Sequence, residues 1–288
     1  MSRIDIQLKT ALKSASVMGS GFIALDIVHG REGLFAAAGG SCGNVLMALA
    51  WLGWTSTPVA RLGCDKAGDF VIEDLKSAGV NLDLLQRSAT VPTPVVIQQF
   101  VEDAKGGRRH RFSLVCPECG AWLPRYRSVV LTHAHEVAQG KAPKAFYFDR
   151  TSPATVAMAE WAKKNGSVVL FEPSSIGGDS LFERAVDACD ILKFSNERFS
   201  RDSELSQARG PLLVVRTMAQ TDYRRDGRDA GAPLSRLSRP GSSIRREPGI
   251  GVVSRSCMCS LRKEHKGSAW CGRQTSNELC GWAKRLPR

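Results

Sequence analysis

The chain has 288 residues, 43% hydrophobic and 24% charged, with a formal net charge of +12; a polypeptide of that size and balance can bury a substantial core. No apolar run reaches the ~20 residues of a membrane-spanning helix, and the N-terminus lacks the compact apolar stretch of a signal peptide. The excess positive charge does not point to nucleic acid: residues 221–288 hold 15 Lys/Arg against 6 Asp/Glu, the remainder 25 against 22, and the late arginines sit among Ser, Gly and Pro with no patterned face or interleaved aromatics.

From residue 15 to 218 the sequence alternates strand-like and helix-like text, as an α/β fold does. "SVMGSGFIALDIV" reads as one buried strand running into a polar loop, with Asp26 at its end, and "GREGLFAA" as a short strand. "GNVLMALAWLG" is a helix apolar on more than one face, stopped by Gly53. "STPVARLG" reads as a strand and "DKAGDFVIEDLKSAG" as an amphipathic helix closed by Gly79. "TPVVIQQFVED" and "RRHRFSLV" alternate apolar and polar residues around "AKGG" and form a hairpin. After an irregular middle, "KAFYFDR" is a strand, "TSPATVAMAEWAKKNG" a helix with a Ser/Thr start and a Gly end, "SVVLFEP" a strand and "SLFERAVDAC" a helix. "DILKFSNER" and "GPLLVVRTM" follow as strands, and the spacing suits right-handed parallel crossovers. Beyond residue 219 the only periodic text is a short "IGVV". Nine cysteines without a disulfide framework read as thiols in a reducing cytoplasm.

The densest chemical signal is "AAAGGSCGNVLMALAWLGWTSTPVARLGCDKAGD", residues 36–69. A Gly-Gly pair lets backbone approach a ligand without an intervening Cβ, and Asn44 then opens a helix whose first N–H groups favour polar ligands. A tight turn with a helix cap is the structural alternative. In its context the stretch resembles the first signature of the ribokinase-like (PfkB) sugar kinases. Further pieces fall in that family's order: "GFIALDIV" with Asp26, "RLGCDKAGD" with Gly63, Asp65 and Gly68, "VVLFEPSS" and "CDILKFSNER".

The resemblance spans about residues 15–218. It implies a ribokinase-like three-layer sandwich with a mostly parallel sheet and a small β lid near residues 29–38 and 92–115. It implies ATP-dependent phosphoryl transfer with Mg2+ to a sugar hydroxyl, and a homodimer as one outcome of lid pairing; charge distribution and apolar run length add no nucleic-acid or membrane partner to the expectation. Asp26, Gly39, Gly40 and Asn44 would hold sugar hydroxyls, since a carboxylate accepts from two neighbouring OH groups and an amide both donates and accepts. Asn196 and Thr217 would lie on the nucleotide side. There the sequence departs from the family: Phe199 stands where a magnesium-organising glutamate is usual, and Glu172 and Ser174 stand where Asp and Asn are common.

The larger departure concerns catalysis. The family draws its general base and its anion-stabilising N–H groups from a Gly-Ala-Gly-Asp stretch opening a late helix. That stretch is absent from the sequence. Adding one G between the codons of Met218 and Ala219 changes the picture. Permitted codons then read M-G-A-D-G-L, and the same shift turns "SIRREPGIG", residues 243–251, into D-(T/S/P)-(T/S/P/A)-G-A-G-D-W. Residues 219–288 therefore read as an out-of-frame tail behind a ribokinase-like domain of residues 1–218, which also accounts for the late arginines; a genuine disordered extension is the alternative.

"CPECGAWLPRYRSVVLTHAHE" carries Cys116-x-x-Cys119 and, further on, His133 and His135. Cys-Pro-x-Cys-Gly turns aim two thiolates at one point, so the four side chains are candidate ligands of a structural Zn2+ in an insertion over residues 116–135; two surface thiols without metal are the alternative.

Overall fold

The computed structural model describes residues 15–30, 33–102, 108–117, 119–175, 180–195, 211 and 213–217. These divide into two compact units, one ending at Val129 and one beginning at Val130.

In the first unit, β1 (Ser16–Ser20) is followed by β2 (Ala24–Gly30) and β3 (Gly33–Gly39), then helix α1 (Ser41–Trp51), β4 (Thr55–Pro58), β5 (Ala60–Gly63), helix α2 (Lys66–Ser77), β6 (Leu85–Ser88), β7 (Val95–Glu102) and β8 (Arg108–Ser113). The single strand expected over "SVMGSGFIALDIV" is thus two. Residues 21–23 break the run, β1 pairs in parallel with β4, and β2 joins a separate four-stranded sheet of order β3-β2-β7-β8. Asp26 consequently stands inside a strand of the small sheet and not at the end of the first strand. "STPVARLG" is likewise divided at Val59, with β4 beside β1 and β5 paired with β6.

The small sheet corresponds to the expected lid. Its β2·β3 and β7·β8 pairs are antiparallel, while β2·β7 is parallel. Helix α1 packs on β1 and β4, and Gly19 permits the close approach, because a Cβ there would press on Leu46 and Cys42. The helices end where glycine adopts positive φ, at Gly53 (90°) and Gly79 (82°), conformations that cost a side-chain-bearing residue.

In the second unit, helix α3 (Leu131–Val137) precedes β9 (Ala145–Phe148), helix α4 (Pro153–Lys164), β10 (Val168–Phe171), helix α5 (Ser180–Ala188), β11 (Ile191–Ser195) and β12 (Leu213–Thr217). The strands pair in parallel in the order β9-β10-β11-β12, the parallel pairing that the alternating sequence suits. Among the described residues, β9 and β10 are each followed by a helix, α4 and α5, that leads to the next parallel strand, the arrangement of a crossover connection. The core is aromatic: Phe148 stacks on Phe171 at 4.3 Å, flanked by Phe146 and Phe182. Helix α4 starts on a reciprocal capping box in which the Ser152 hydroxyl accepts from the Thr155 N–H and the Thr155 hydroxyl accepts from the Ser152 N–H, with Pro153 in the first turn. Among the described residues no helix is long and apolar enough to cross a membrane.

Candidate functional site

The expected sugar-side residues come together in the first unit. Gly39 closes β3, Gly40 caps α1 at φ 82°, and Asn44 lies exposed one turn into the helix, its N–H donating to Gly40 O at 2.9 Å. The two glycines do separate work. At Gly39 a Cβ would overlap the carboxylate of Asp26, so the missing side chain is the space in which that carboxylate sits. At Gly40 a Cβ would overlap the carbonyl of Phe22. That carbonyl accepts from the N–H groups of Cys42 (3.1 Å) and Gly43 (3.4 Å), so first-turn donors of α1 are satisfied by the loop that leads to β2. Phe22 is held in turn by an edge-on ring contact with Tyr126, 6.1 Å between centroids.

A further residue belongs to this group. Gln98 of β7, 7% exposed, donates from Nε2 to Asp26 Oδ2 at 2.7 Å. The sequence reading passed over it, although a signal was present: in "VVIQQF" the alternation places Gln98 in the phase of the buried Val96, and a polar residue in that phase needs a partner.

The Gly63-Cys-Asp65-Lys-Ala-Gly68 segment is scaffold for the same sheet. Asp65 caps α2, its Oδ1 accepting from the Gly68 N–H at 2.7 Å and its Oδ2 from the Thr93 N–H at 2.8 Å. Thr93 Oγ1 accepts from the Gly63 N–H at 2.9 Å. Side chains at Gly63 and Gly68 would collide with this lock, which explains both glycines without a ligand.

In the second unit, Glu172 follows β10 directly and is engaged by both neighbouring strands. Its Oε2 accepts from the Tyr147 hydroxyl at 3.1 Å, and its Oε1 pairs with Lys193 Nζ. Thr217 is the last residue of β12, in register with Ser195 of β11. These are carboxyl ends of parallel strands, where open α/β sheets bind ligands. Asn196 and Phe199 lie outside the described residues, as does the whole of 219–288.

The expected zinc site finds no support among the described residues. His133 and His135 are on helix α3, not in a loop, and two residues of helix place them on opposite sides: His133 is buried with Nδ1 3.2 Å from Glu136 Oε2, and His135 is exposed. Cys116 is buried and Cys119 exposed on a turn closed by the Gly120 N–H to the Cys116 carbonyl. Among the described residues no group of three or more His, Cys, Asp or Glu is placed to hold a metal ion.

The fold thus combines parallel α/β strands with a small four-stranded sheet in which a carboxylate is seated against a Gly-Gly turn. The sequence matches the pfkB family carbohydrate kinases over residues 31–201, and the chain belongs to that family. It is 26% identical over 194 residues to a fructokinase of Klebsiella pneumoniae, the match covering 62% of this chain and 60% of that protein. It is 28% identical over 165 residues to an ATP-dependent ribose-1-phosphate kinase of Halopiger xanaduensis, covering 56% and 51%. The chain thus spans between half and three fifths of these relatives. The fold is that of a Xylella fastidiosa fructokinase solved with bound ATP, at TM-score 0.59 and 20% identity over 77% of this chain and 78% of that one. The ribokinase-like α/β expectation is therefore met.

Proposed function

We propose that the first unit holds the sugar side of an ATP-dependent sugar kinase site, with Asp26 as the carboxylate that accepts two neighbouring sugar hydroxyls and Gly39, Gly40 and Asn44 completing the cradle. The observation that carries this reading is the Asp26 carboxylate filling the space left by the missing Gly39 side chain, oriented by a second polar side chain. An ionised carboxylate held this way can accept from two neighbouring hydroxyls, which suits polyol recognition. ATP with Mg2+ would supply the phosphoryl group. Thr217 and Asn196, at and beyond the carboxyl ends of β12 and β11, are the proposed nucleotide-side residues. Glu172, already paired with Lys193 and Tyr147, is a poor candidate for a free metal ligand.

We further propose that residues 219–288 are out of frame, so that the 288-residue chain lacks the carboxylate that would take the hydroxyl's proton. The family match ends at residue 201, short of that tail, in keeping with this. The polypeptide as written is then a sugar binder without turnover, and the product with one G restored after the Met218 codon is a cytoplasmic kinase. Calorimetric titration of both proteins with D-fructose and D-ribose, followed by a coupled ADP-release assay, tests the proposal. Binding by both with ADP release only from the restored product is expected; sustained sugar-dependent ADP release from the 288-residue chain would refute it.

A further inference from the structure

The register of the lid sheet sets the side chains in rows. Phe35, Val28, Gln98 and Phe112 are successive cross-strand partners over β3, β2, β7 and β8, and Ala37, Asp26 and Val96 form the adjoining row on the same face. Within its own row Gln98 is the sole polar member, and it is 7% exposed. Burying a primary amide among apolar side chains is unfavourable unless its polar atoms are used. One of them is used on the neighbouring row, where Nε2 meets Asp26 Oδ2 at 2.7 Å. An ionised carboxylate only accepts, so it fixes which end of the amide faces it, and the bond is of the charge-assisted kind.

Asp26 is therefore confined from two sides. Towards β3 its carboxylate rests against the bare Cα of Gly39, with no room for a Cβ; towards β7 it is held by an amide. An aspartate on an open strand face has several accessible rotamers, and ordering it on binding costs free energy that a fixed partner removes in advance. We infer that Gln98 is a positioning residue for sugar recognition: it acts through Asp26, holding the carboxylate in the one orientation that receives two hydroxyls. The inference rests on the reading of Asp26 as the sugar-holding carboxylate.

The test is a double-mutant cycle in the 288-residue chain, titrated with D-fructose and D-ribose by calorimetry while urea unfolding is followed in parallel. Gln98→Met keeps the volume and removes the donor; Gln98→Asn keeps a buried amide one methylene too short to reach Asp26, and serves if the first variant does not fold. Each should bind the preferred sugar about tenfold more weakly, the order expected for losing a bond to a charged group. Asp26→Asn should lose more, and combining it with the Gln98 substitution should lose nothing further, because the effect of Gln98 passes through Asp26. Unchanged affinity in the Gln98 variants, or a fully additive loss in the double variant, overturns the positioning role while leaving the sugar site standing. Absence of binding by the unsubstituted chain overturns the sugar-site reading itself, and the role of Gln98 with it.

Discussion

Replacing Asp65 by alanine separates scaffold from site. Its carboxylate does two things: it caps α2 through the Gly68 N–H and holds the Thr93 N–H at the entry to β7. Losing an N-cap costs about 1 kcal/mol. Thr93 is 0% exposed, so its N–H is left buried without its carboxylate partner, a further ~1–3 kcal/mol. The expected loss is about 3 kcal/mol, read as a lower urea midpoint at unchanged slope, with sugar affinity of the folded protein within about twofold of the parent. A variant that unfolds within about 0.5 kcal/mol of the parent yet no longer binds sugar would refute the argument and place Asp65 on the ligand side.

Two other outcomes follow from the thiols. Burial pushes the Cys189 thiol up from 9.0 to about 12, outweighing the nearby Lys163 ammonium. A proton held more tightly in the folded chain contributes fully below about pH 9 and is lost as pH climbs towards 12, a term of at most roughly 4 kcal/mol. Cys189→Ala should flatten the alkaline limb of the urea-stability profile between those values, and an unchanged slope would contradict the burial argument. Alkylation of the native protein followed by peptide mass spectrometry should modify the exposed Cys64 and Cys119 well before the buried Cys42, Cys116 and Cys189; early labelling of Cys116 would show that the turn at 116–120 opens.

Much of the fold was legible because its signals are local. Periodicity and glycine stops mark α1, α2 and α4, and the Ser152/Thr155/Pro153 start of α4 can be read directly from "TSPAT". The parallel pairing of β9, β10 and β11 is what strand–helix alternation points to. What escaped was decided at a distance. The break at residues 21–23 is invisible in an apolar run, because a strand changing sheets keeps its alternation; only the partners, β4 before the break and β3 and β7 after it, reveal it. Helix α3 is short and begins without a side-chain cap, so nothing in the sequence marks the helix that separates its two histidines. At the site, the Gly-Gly turn and Asp26 could be found from a resemblance. Their physical relation, a carboxylate occupying the place of a Cβ, depends on the register of Asp26 with Ala37 and could not be found that way.

Helix α2 touches the lid sheet twice. At its first turn Asp65 holds the Thr93 N–H, two residues before β7 begins; in its body Asp74 Oδ2 accepts from the Ala38 N–H at 2.7 Å, on the outer edge of β3 and next to Gly39. The strands on either side of Asp26 are thus both fastened to one rigid rod. Their spacing is held first by direct pairing with β2 and braced a second time by helix α2, so it survives the loss of one fastening. The slot around Asp26 therefore has a brace outside its own sheet, in a helix that carries none of the expected sugar-holding residues.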